Sequence, residues 1–263
     1  MSESLSVVVT GGNRGIGRAV AAEAVRRGHR VTIVARRAEE GTAAAREIGA
    51  RLVVADLACV RTTRHAAEEI AAAVPGIDVL VHNAALWPSR RVLNEDGFEQ
   101  AFFTNHLAPF QLNHLLEDRL RRVVQISAGL YVTGKVDPAR TPTGEDFHPM
   151  KTYAATKLAN LLMLPLFAER WRAAGVTIDA VHPGVLRTGL GDRGGALGLV
   201  LKLVKRTWKP AEHAAPPVAD LLAAQGTGRY FEESKQVPLR PPALDTALAR
   251  RLWDDAAEAL GVA

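Results

Sequence analysis

The chain has 263 residues, 48% of them hydrophobic and 23% charged, which excludes an intrinsically disordered or low-complexity protein. A single cysteine, Cys59, excludes an internal disulfide framework and a zinc site built from several cysteines. The formal net charge is +5, from 33 Lys and Arg against 28 Asp and Glu, so charge alone admits nucleic acid, an anionic surface or a phosphorylated small molecule as a partner.

Short β-branched runs alternate with longer alanine-rich stretches along most of the chain. The predicted strands are 5–9, 30–35, 51–55, 78–82, 123–127 and 176–181. The predicted helices are 16–27, 38–48, 61–74, 98–117 and 152–173. Almost continuously apolar strands in this alternation are typical of a parallel sheet covered by helices on both faces. We therefore predict one α/β domain over residues 1–263, a doubly wound parallel sheet in three α/β/α layers.

A glycine-rich turn follows the first predicted strand and opens the first predicted helix. Its sequence is Thr10-Gly-Gly-Asn-Arg-Gly-Ile-Gly17. Glycines permit a tight turn and a close approach of backbone N–H groups to an anion, and a helix N-terminus carries partial positive charge. The spacing differs from the plain G-x-G-x-x-G pattern, but its place between strand and helix predicts a Rossmann-type dinucleotide site.

The end of the second strand indicates which dinucleotide binds. An acidic residue about 20 positions after the glycine turn suits the ribose 2′-hydroxyl of NAD, whereas an arginine suits the 2′-phosphate of NADP. The strand ends in Arg36 and Arg37 without a carboxylate, and Arg14 lies within the glycine turn. The alternative is that Arg36 and Arg37 simply begin a solvated helix. We predict NADP(H), with Arg14 and Arg36 at its 2′-phosphate.

Further short motifs follow in order along the chain. They are Asp56-Leu57, Asn83-Ala84, Thr104-Asn105-His106-Leu107, Tyr153-Ala-Ala-Thr-Lys157, His182-Pro-Gly-Val-Leu-Arg-Thr188 and Gly228-Arg-Tyr-Phe231. With the glycine turn, these motifs resemble the short-chain dehydrogenase/reductase family, and within it the retinol-dehydrogenase-like branch, along nearly the whole chain. The resemblance implies an oxidoreductase that interconverts a carbonyl and an alcohol with a nicotinamide cofactor.

The resemblance also implies which residues contact the cofactor. They are Gly11, Asn13, Arg14, Gly15, Ile16, Gly17, Arg36, Asp56, Leu57, Asn83, Ala84, Tyr153, Lys157, Pro183, Gly184, Val185 and Thr188. In this assignment the Asp56 carboxylate meets the adenine, and no metal ion takes part.

Tyr153 and Lys157 are four residues apart, so they share one face of a predicted helix. A tyrosine with its ordinary pKa of about 10 is a poor acid–base group at neutral pH. A lysine ammonium and a positively charged nicotinamide would stabilise the phenolate and lower that pKa. The resemblance implies that Tyr153 is the acid–base group, that Lys157 tunes it and that Asn105 supports a chain of active-site water.

The sequence departs from the family at the serine that normally contacts the substrate oxygen. The segment ending Ser127-Ala128 aligns with a family segment ending Ser-Ser, whose second serine is catalytic. One step along a strand turns a side chain to the other face, so Ser127 is not expected to replace the serine missing at Ala128. Three hypotheses stay open: another donor such as Thr133 or a water, a slow or specialised reductase, or a non-redox or regulatory use of the cofactor. The non-redox reactions considered are cyclisation, dehydration and isomerisation.

Residues 189–210 combine glycines with apolar residues, and the resemblance implies a mobile lid over a lipophilic substrate. The alternatives are a packed helix and an interfacial amphipathic helix. Trp87 is assigned to structural packing. The basic residues are scattered, which favours a small-molecule partner over nucleic acid, and a homo-oligomer is possible. Because one cysteine favours a reduced compartment and no apolar run is long enough for a signal or a membrane span, we expect a cytoplasmic protein.

Overall fold

A sheet of eight strands forms the centre of the computed structural model, which describes residues 4–187 and 209–262. The strands are β1 (Ser6–Thr10), β2 (Arg30–Ala35), β3 (Arg51–Val54), β4 (Val79–His82), β5 (Arg122–Ile126), β6 (Thr177–His182), β7 (Leu186–Arg187), β8 (Lys209–Pro210), β9 (Tyr230–Glu232) and β10 (Lys235–Val237). The sheet order is β10-β9-β6-β5-β4-β1-β2-β3, while β7 and β8 pair separately. The predicted doubly wound fold is confirmed, with its order reversing between β1 and β4.

One edge of the sheet differs from the prediction. β9 continues the parallel sheet beside β6, but β10 returns antiparallel to β9. Both strands are only three residues long, so the sequence carries too short an alternating pattern to reveal them. The remaining six strands match the predicted ones to within one residue at each end.

Helices cover both faces of the sheet. They are α1 (Gly15–Arg26), α2 (Ala38–Ile48), α3 (Val60–Ala73), α4 (Gln100–Phe102), α5 (Ala108–Leu115), α6 (Pro149–Arg170), α7 (Ala215–Asp220) and α8 (Thr246–Leu260). Alternate strand residues divide the core: Val7 and Val9 pack on the α1 side, whereas Val8 packs on the α5 and α6 side. This two-sided burial explains why the central strands are apolar without a break.

The predicted helix 98–117 is interrupted by a π-helical turn, Phe103–Leu107, between α4 and α5. There the N–H of Ala108 bonds to the carbonyl of Phe103, five residues earlier. Pro109 has no N–H to return to the carbonyl of Asn105, so that carbonyl is free to accept a bond from another element. Its partner is the Asn160 side chain of α6, with Nδ2 2.8 Å from the Asn105 oxygen. π-turns are frequent at functional sites, and this one joins the layer of α4 and α5 to α6.

The C-terminal helix α8 was not predicted, although the sequence carries signals for it. The Asp245 side chain accepts a bond from the Leu248 N–H at the start of the helix, and Gly261 ends it in the left-handed conformation with φ 60°. These are ordinary capping residues. Trp253 of α8 packs against Phe110 and Phe167, so α8 covers part of α5 and α6.

Candidate active site

A cavity of about 280 Å³ opens at the carboxyl ends of β1 to β5, the edge where doubly wound sheets bind their ligands. The predicted residues that line it are Gly11, Asn13, Arg14, Gly15, Ile16, Arg36, Asp56, Leu57, Asn83, Ala84, Tyr153 and Lys157. Gly17 is buried beneath the turn. Pro183, Gly184 and Val185 follow β6 and are not among the lining residues, and Thr188 lies outside the described residues. Most of the predicted lid also lies outside them.

Asn83 fixes the conformation of the glycine turn. Its Nδ2 donates to the Thr10 oxygen at 2.9 Å and to the Gly11 oxygen at 3.1 Å, while its backbone N–H donates to Thr10 Oγ1 at 3.0 Å. Gly11 has φ +64°, a conformation that glycine adopts without strain. A Cβ on Gly17 would collide with the Asn83 side chain and the Gly11 oxygen. The two predicted motifs therefore form one rigid unit.

The start of α1 is suited to an anion. Arg14 precedes the helix without capping it through its side chain, and the first turn contains no acidic residue. The first N–H groups of a helix have no partner within the helix and carry partial positive charge. The turn therefore fits the pyrophosphate of a dinucleotide.

Three exposed arginines stand at the rim of this cavity, Arg37 among them. Arg14 and Arg36 both line it, and neither forms an ion pair within residues 4–187 and 209–262. The neighbouring Arg37 instead bonds to Glu40, with Nη2 2.7 Å from Oε1. Arg14 and Arg36 are thus the cations that remain available to a phosphate here.

Tyr153 and Lys157 are buried on α6 at the inner end of the cavity, 7% and 3% exposed. The Lys157 Nζ donates to the Ile126 oxygen at 3.0 Å and lies 5.6 Å from the centre of the Tyr153 ring. Burial raises the pKa of Tyr153 above its ordinary value and lowers the pKa of Lys157 to about 8. The lysine still carries a proton at neutral pH, so a positive charge lies beside a phenol that burial alone would keep protonated.

Asn105 lies in the π-turn behind this pair and is 1% exposed. Its Nδ2 donates to the Leu86 oxygen at 2.9 Å and to Thr156 Oγ1 at 3.2 Å, and its Oδ1 accepts from the Leu86 N–H at 2.7 Å. The side chain thus connects the loop after β4 to α6. These contacts give Asn105 a structural role, and its support of a chain of active-site water stays a prediction.

Position 128, just after β5, is where the family normally has its catalytic serine, and here it carries no hydroxyl. Ala128 is half-buried, with an extended backbone at φ −148° and ψ 144°. Thr133, considered above as a replacement donor, is exposed and donates to the Leu130 oxygen at 2.9 Å. Ser127 lines the cavity, and its buried Oγ has no hydrogen-bond partner among the described residues.

Trp87 contacts Tyr153, a contact that the sequence did not predict. The two rings are stacked, with centroids 4.7 Å apart and planes inclined by 14°. The sequence predicts a structural packing role for Trp87, and only its place four residues after Asn83 indicates the site.

Two negative findings apply to the described residues. They include no group of three or more His, Cys, Asp or Glu side chains that could hold a metal ion. They also include no helix with both the length and the apolar character that a membrane crossing requires.

Comparisons with known proteins agree with the motifs. The family model described as short chain dehydrogenase matches residues 6–194. Retinol dehydrogenase 13 of Homo sapiens is 33% identical over 280 residues, covering 98% of this chain and 85% of that protein. Retinol dehydrogenase 14 of Homo sapiens is 34% identical, covering 95% of this chain and 84% of that protein. A short chain dehydrogenase from Burkholderia cenocepacia J2315, solved in complex with NADP, has a TM-score of 0.68 at 26% identity, covering 87% of this chain and 95% of that chain.

Proposed function

The chain belongs to the short-chain dehydrogenase/reductase family, in its retinol-dehydrogenase-like branch, and from this premise we propose that it is an NADP(H)-dependent oxidoreductase. It interconverts a carbonyl and an alcohol on a lipophilic small molecule. The observation that carries the proposal is the buried Tyr153–Lys157 pair at the inner end of a cavity whose rim holds Arg14 and Arg36. We also propose a cytoplasmic location, which the single cysteine favours.

Each group of residues has one task in this mechanism. The N–H groups at the start of α1 would hold the pyrophosphate, and Arg14 and Arg36 would hold the 2′-phosphate. A nicotinamide cofactor held there would supply the chemistry of hydride transfer. Tyr153 Oη gives its proton to the carbonyl oxygen during reduction and takes one from the alcohol during oxidation. The Lys157 charge stabilises the phenolate and so lowers the pKa of Tyr153 toward the working range.

An apolar substrate is supported by residues at the same edge of the sheet. Val132, Met150 and Val185 are exposed large hydrophobic side chains on the segments that follow β5, open α6 and follow β6. The names of the human relatives refer to retinol, an apolar alcohol. None of the three lines the cavity, so only a hydrophobic substrate body that extends beyond the cavity would cover these side chains.

The assignment of the 2′-phosphate site predicts different effects for two adjacent arginines. Arg36→Gln should weaken NADPH binding about tenfold or more, because a hydrogen bond to a charged group contributes roughly 1.5–3 kcal/mol. Arg37→Gln is the comparison variant and should change NADPH affinity less than about twofold, because the Arg37 guanidinium is bonded to Glu40 in this structure rather than directed at the phosphate. The dissociation constants of NADPH and NADH can be measured by cofactor fluorescence without any substrate.

NADH affinity should change little in either variant, since NADH lacks the phosphate. Equal losses for NADPH and NADH in Arg36→Gln would contradict the assignment. So would a larger loss in Arg37→Gln than in Arg36→Gln.

A non-redox reaction is the second candidate, and Ala128 is the observation that favours it. Without the usual hydroxyl, the site lacks one group that would hold a carbonyl oxygen during hydride transfer. Cyclisation, dehydration or isomerisation would form product without net oxidation of NADPH. Following NADPH absorbance and product together distinguishes the two reactions.

A further inference from the structure

Trp87 lies flat against the ring of the proposed acid–base residue. We propose that Trp87 is a positioning residue for Tyr153, whose stacked indole holds the phenol in the orientation that presents its hydroxyl to the substrate. This inference rests on the proposed function, because it takes Tyr153 as the group that exchanges the proton. It assigns Trp87 a role beyond the packing expected from sequence.

The loop that carries Trp87 is held in place by its neighbour in sequence. Leu86 forms two backbone bonds with the Asn105 side chain, an N–H donated at 2.7 Å and an oxygen that accepts at 2.9 Å. A side chain that satisfies both polar groups of one residue fixes the position of the loop. The next residue, Trp87, therefore projects from a fixed point.

The same Asn105 side chain also reaches the helix of Tyr153. Asn105 Nδ2 lies 3.2 Å from Thr156 Oγ1, and this hydroxyl donates to the backbone carbonyl oxygen of Tyr153 at 2.8 Å. One buried amide thus connects the loop of Trp87 with the helical turn of Tyr153. This connection holds the two segments that carry the rings beside each other.

Apart from the packing that buries its ring, the phenol of Tyr153 has no polar restraint on its orientation among the described residues. Within residues 4–187 and 209–262 its hydroxyl forms no hydrogen bond, and Ala128 has no hydroxyl to offer. The indole Nε1 of Trp87 is buried and also has no partner among these residues, so packing rather than a hydrogen bond holds the indole. A stacked aromatic pair adds a stabilising contact beyond buried area, and here it restrains the ring that must align with the substrate.

Two substitutions at Trp87 test this role. Trp87→Leu removes the stack and should lower kcat about tenfold, because small displacements of a reacting group cost up to 10²-fold in rate. KM should stay within about threefold, since positioning acts after binding. Trp87→Phe keeps an aromatic face and should restore kcat to within about threefold of the wild type. Trp253→Leu, at a tryptophan on α8 outside the cavity, controls for general destabilisation.

Nuclear magnetic resonance of labelled tyrosine gives a readout that does not depend on turnover. The chain has only three tyrosines, and the Tyr153 signals are identified by their loss in Tyr153→Phe. The indole should shift these ring signals upfield in the wild-type protein. Trp87→Leu should abolish the shift and Trp87→Phe should keep part of it, while Trp253→Leu should leave it unchanged.

The proposal is overturned if Trp87→Leu keeps the wild-type kcat, if it changes only KM, or if Trp87→Phe is as impaired as Trp87→Leu. Unshifted Tyr153 signals in the wild-type protein also overturn it, because no stack would then exist. An enzyme that reduces no carbonyl with NADPH refutes the proposed function instead, and the tyrosine signals then decide separately whether the rings are stacked.

Discussion

Tyr153→Phe is expected to lower kcat for NADPH-dependent carbonyl reduction by about 10³-fold, within the usual range of 10²–10⁴ for loss of a general acid. The phenylalanine ring preserves the stack with Trp87 and the packing on α6, so only the proton-bearing oxygen is removed. The dissociation constant of NADPH should stay within about threefold, because the phosphate groups are held elsewhere in the cavity. Initial rates of NADPH oxidation against a panel of apolar aldehydes and ketones provide the measurement.

Tyr131→Phe is the matched control for that experiment. Tyr131 is also buried, but its Oη accepts a bond from the Arg240 N–H at 3.1 Å and it does not line the cavity. Its loss should cost about 0.5–1.5 kcal/mol of folding free energy and leave kcat within about twofold. Wild-type turnover that survives in Tyr153→Phe would show that another group supplies the proton.

Several residues of the candidate site that the sequence predicted to come together lie at the ends of parallel strands. Strand ends are marked by short, recognisable motifs, and the fold brings the carboxyl ends of all these strands to one edge. Arg36 after β2, Asp56 after β3 and Asn83 after β4 therefore come together without any knowledge of side-chain packing. The place of each of these residues follows from the motif at its strand end and from the parallel-sheet topology that alternating strands and helices predict.

The residues that the sequence did not reveal depend on contacts between distant segments. Trp87 is 66 residues from Tyr153 in the chain, and nothing in the local pattern at 83–88 shows which ring it will meet. The π-turn likewise depends on Pro109 freeing the Asn105 carbonyl and on Asn160 being in position to occupy it. β10, which pairs with β9, has only three residues, too few to show the alternation of apolar and polar residues that predicts a strand.

Ala128→Ser is expected to raise kcat for carbonyl reduction about 10²-fold, because one oxyanion donor typically contributes 10²–10³ in rate. The extended backbone at the end of β5 accepts a serine without strain, since φ −148° and ψ 144° are ordinary strand values. Thr133 cannot already serve in this way while it is exposed and bonded to the Leu130 oxygen. Steady-state kinetics with the same carbonyl panel measure the change.

Ser127→Ala tests the remaining hydroxyl near this position. Ser127 Oγ is buried without a partner among the described residues, but it lies one step earlier on the strand. Ser127 lines the cavity, whereas Ala128 is not among its lining residues, so both positions have to be tested. If the substrate oxygen lies at position 128, Ser127→Ala should change kcat less than about threefold, and Ala128→Ser should raise kcat by the same factor whether residue 127 is Ser or Ala. A loss in Ser127→Ala together with no gain in Ala128→Ser would instead make Ser127 the donor. A gain at position 128 would mean that the native site holds its carbonyl oxygen weakly, so that binding energy from an apolar substrate body must align the carbonyl with Tyr153.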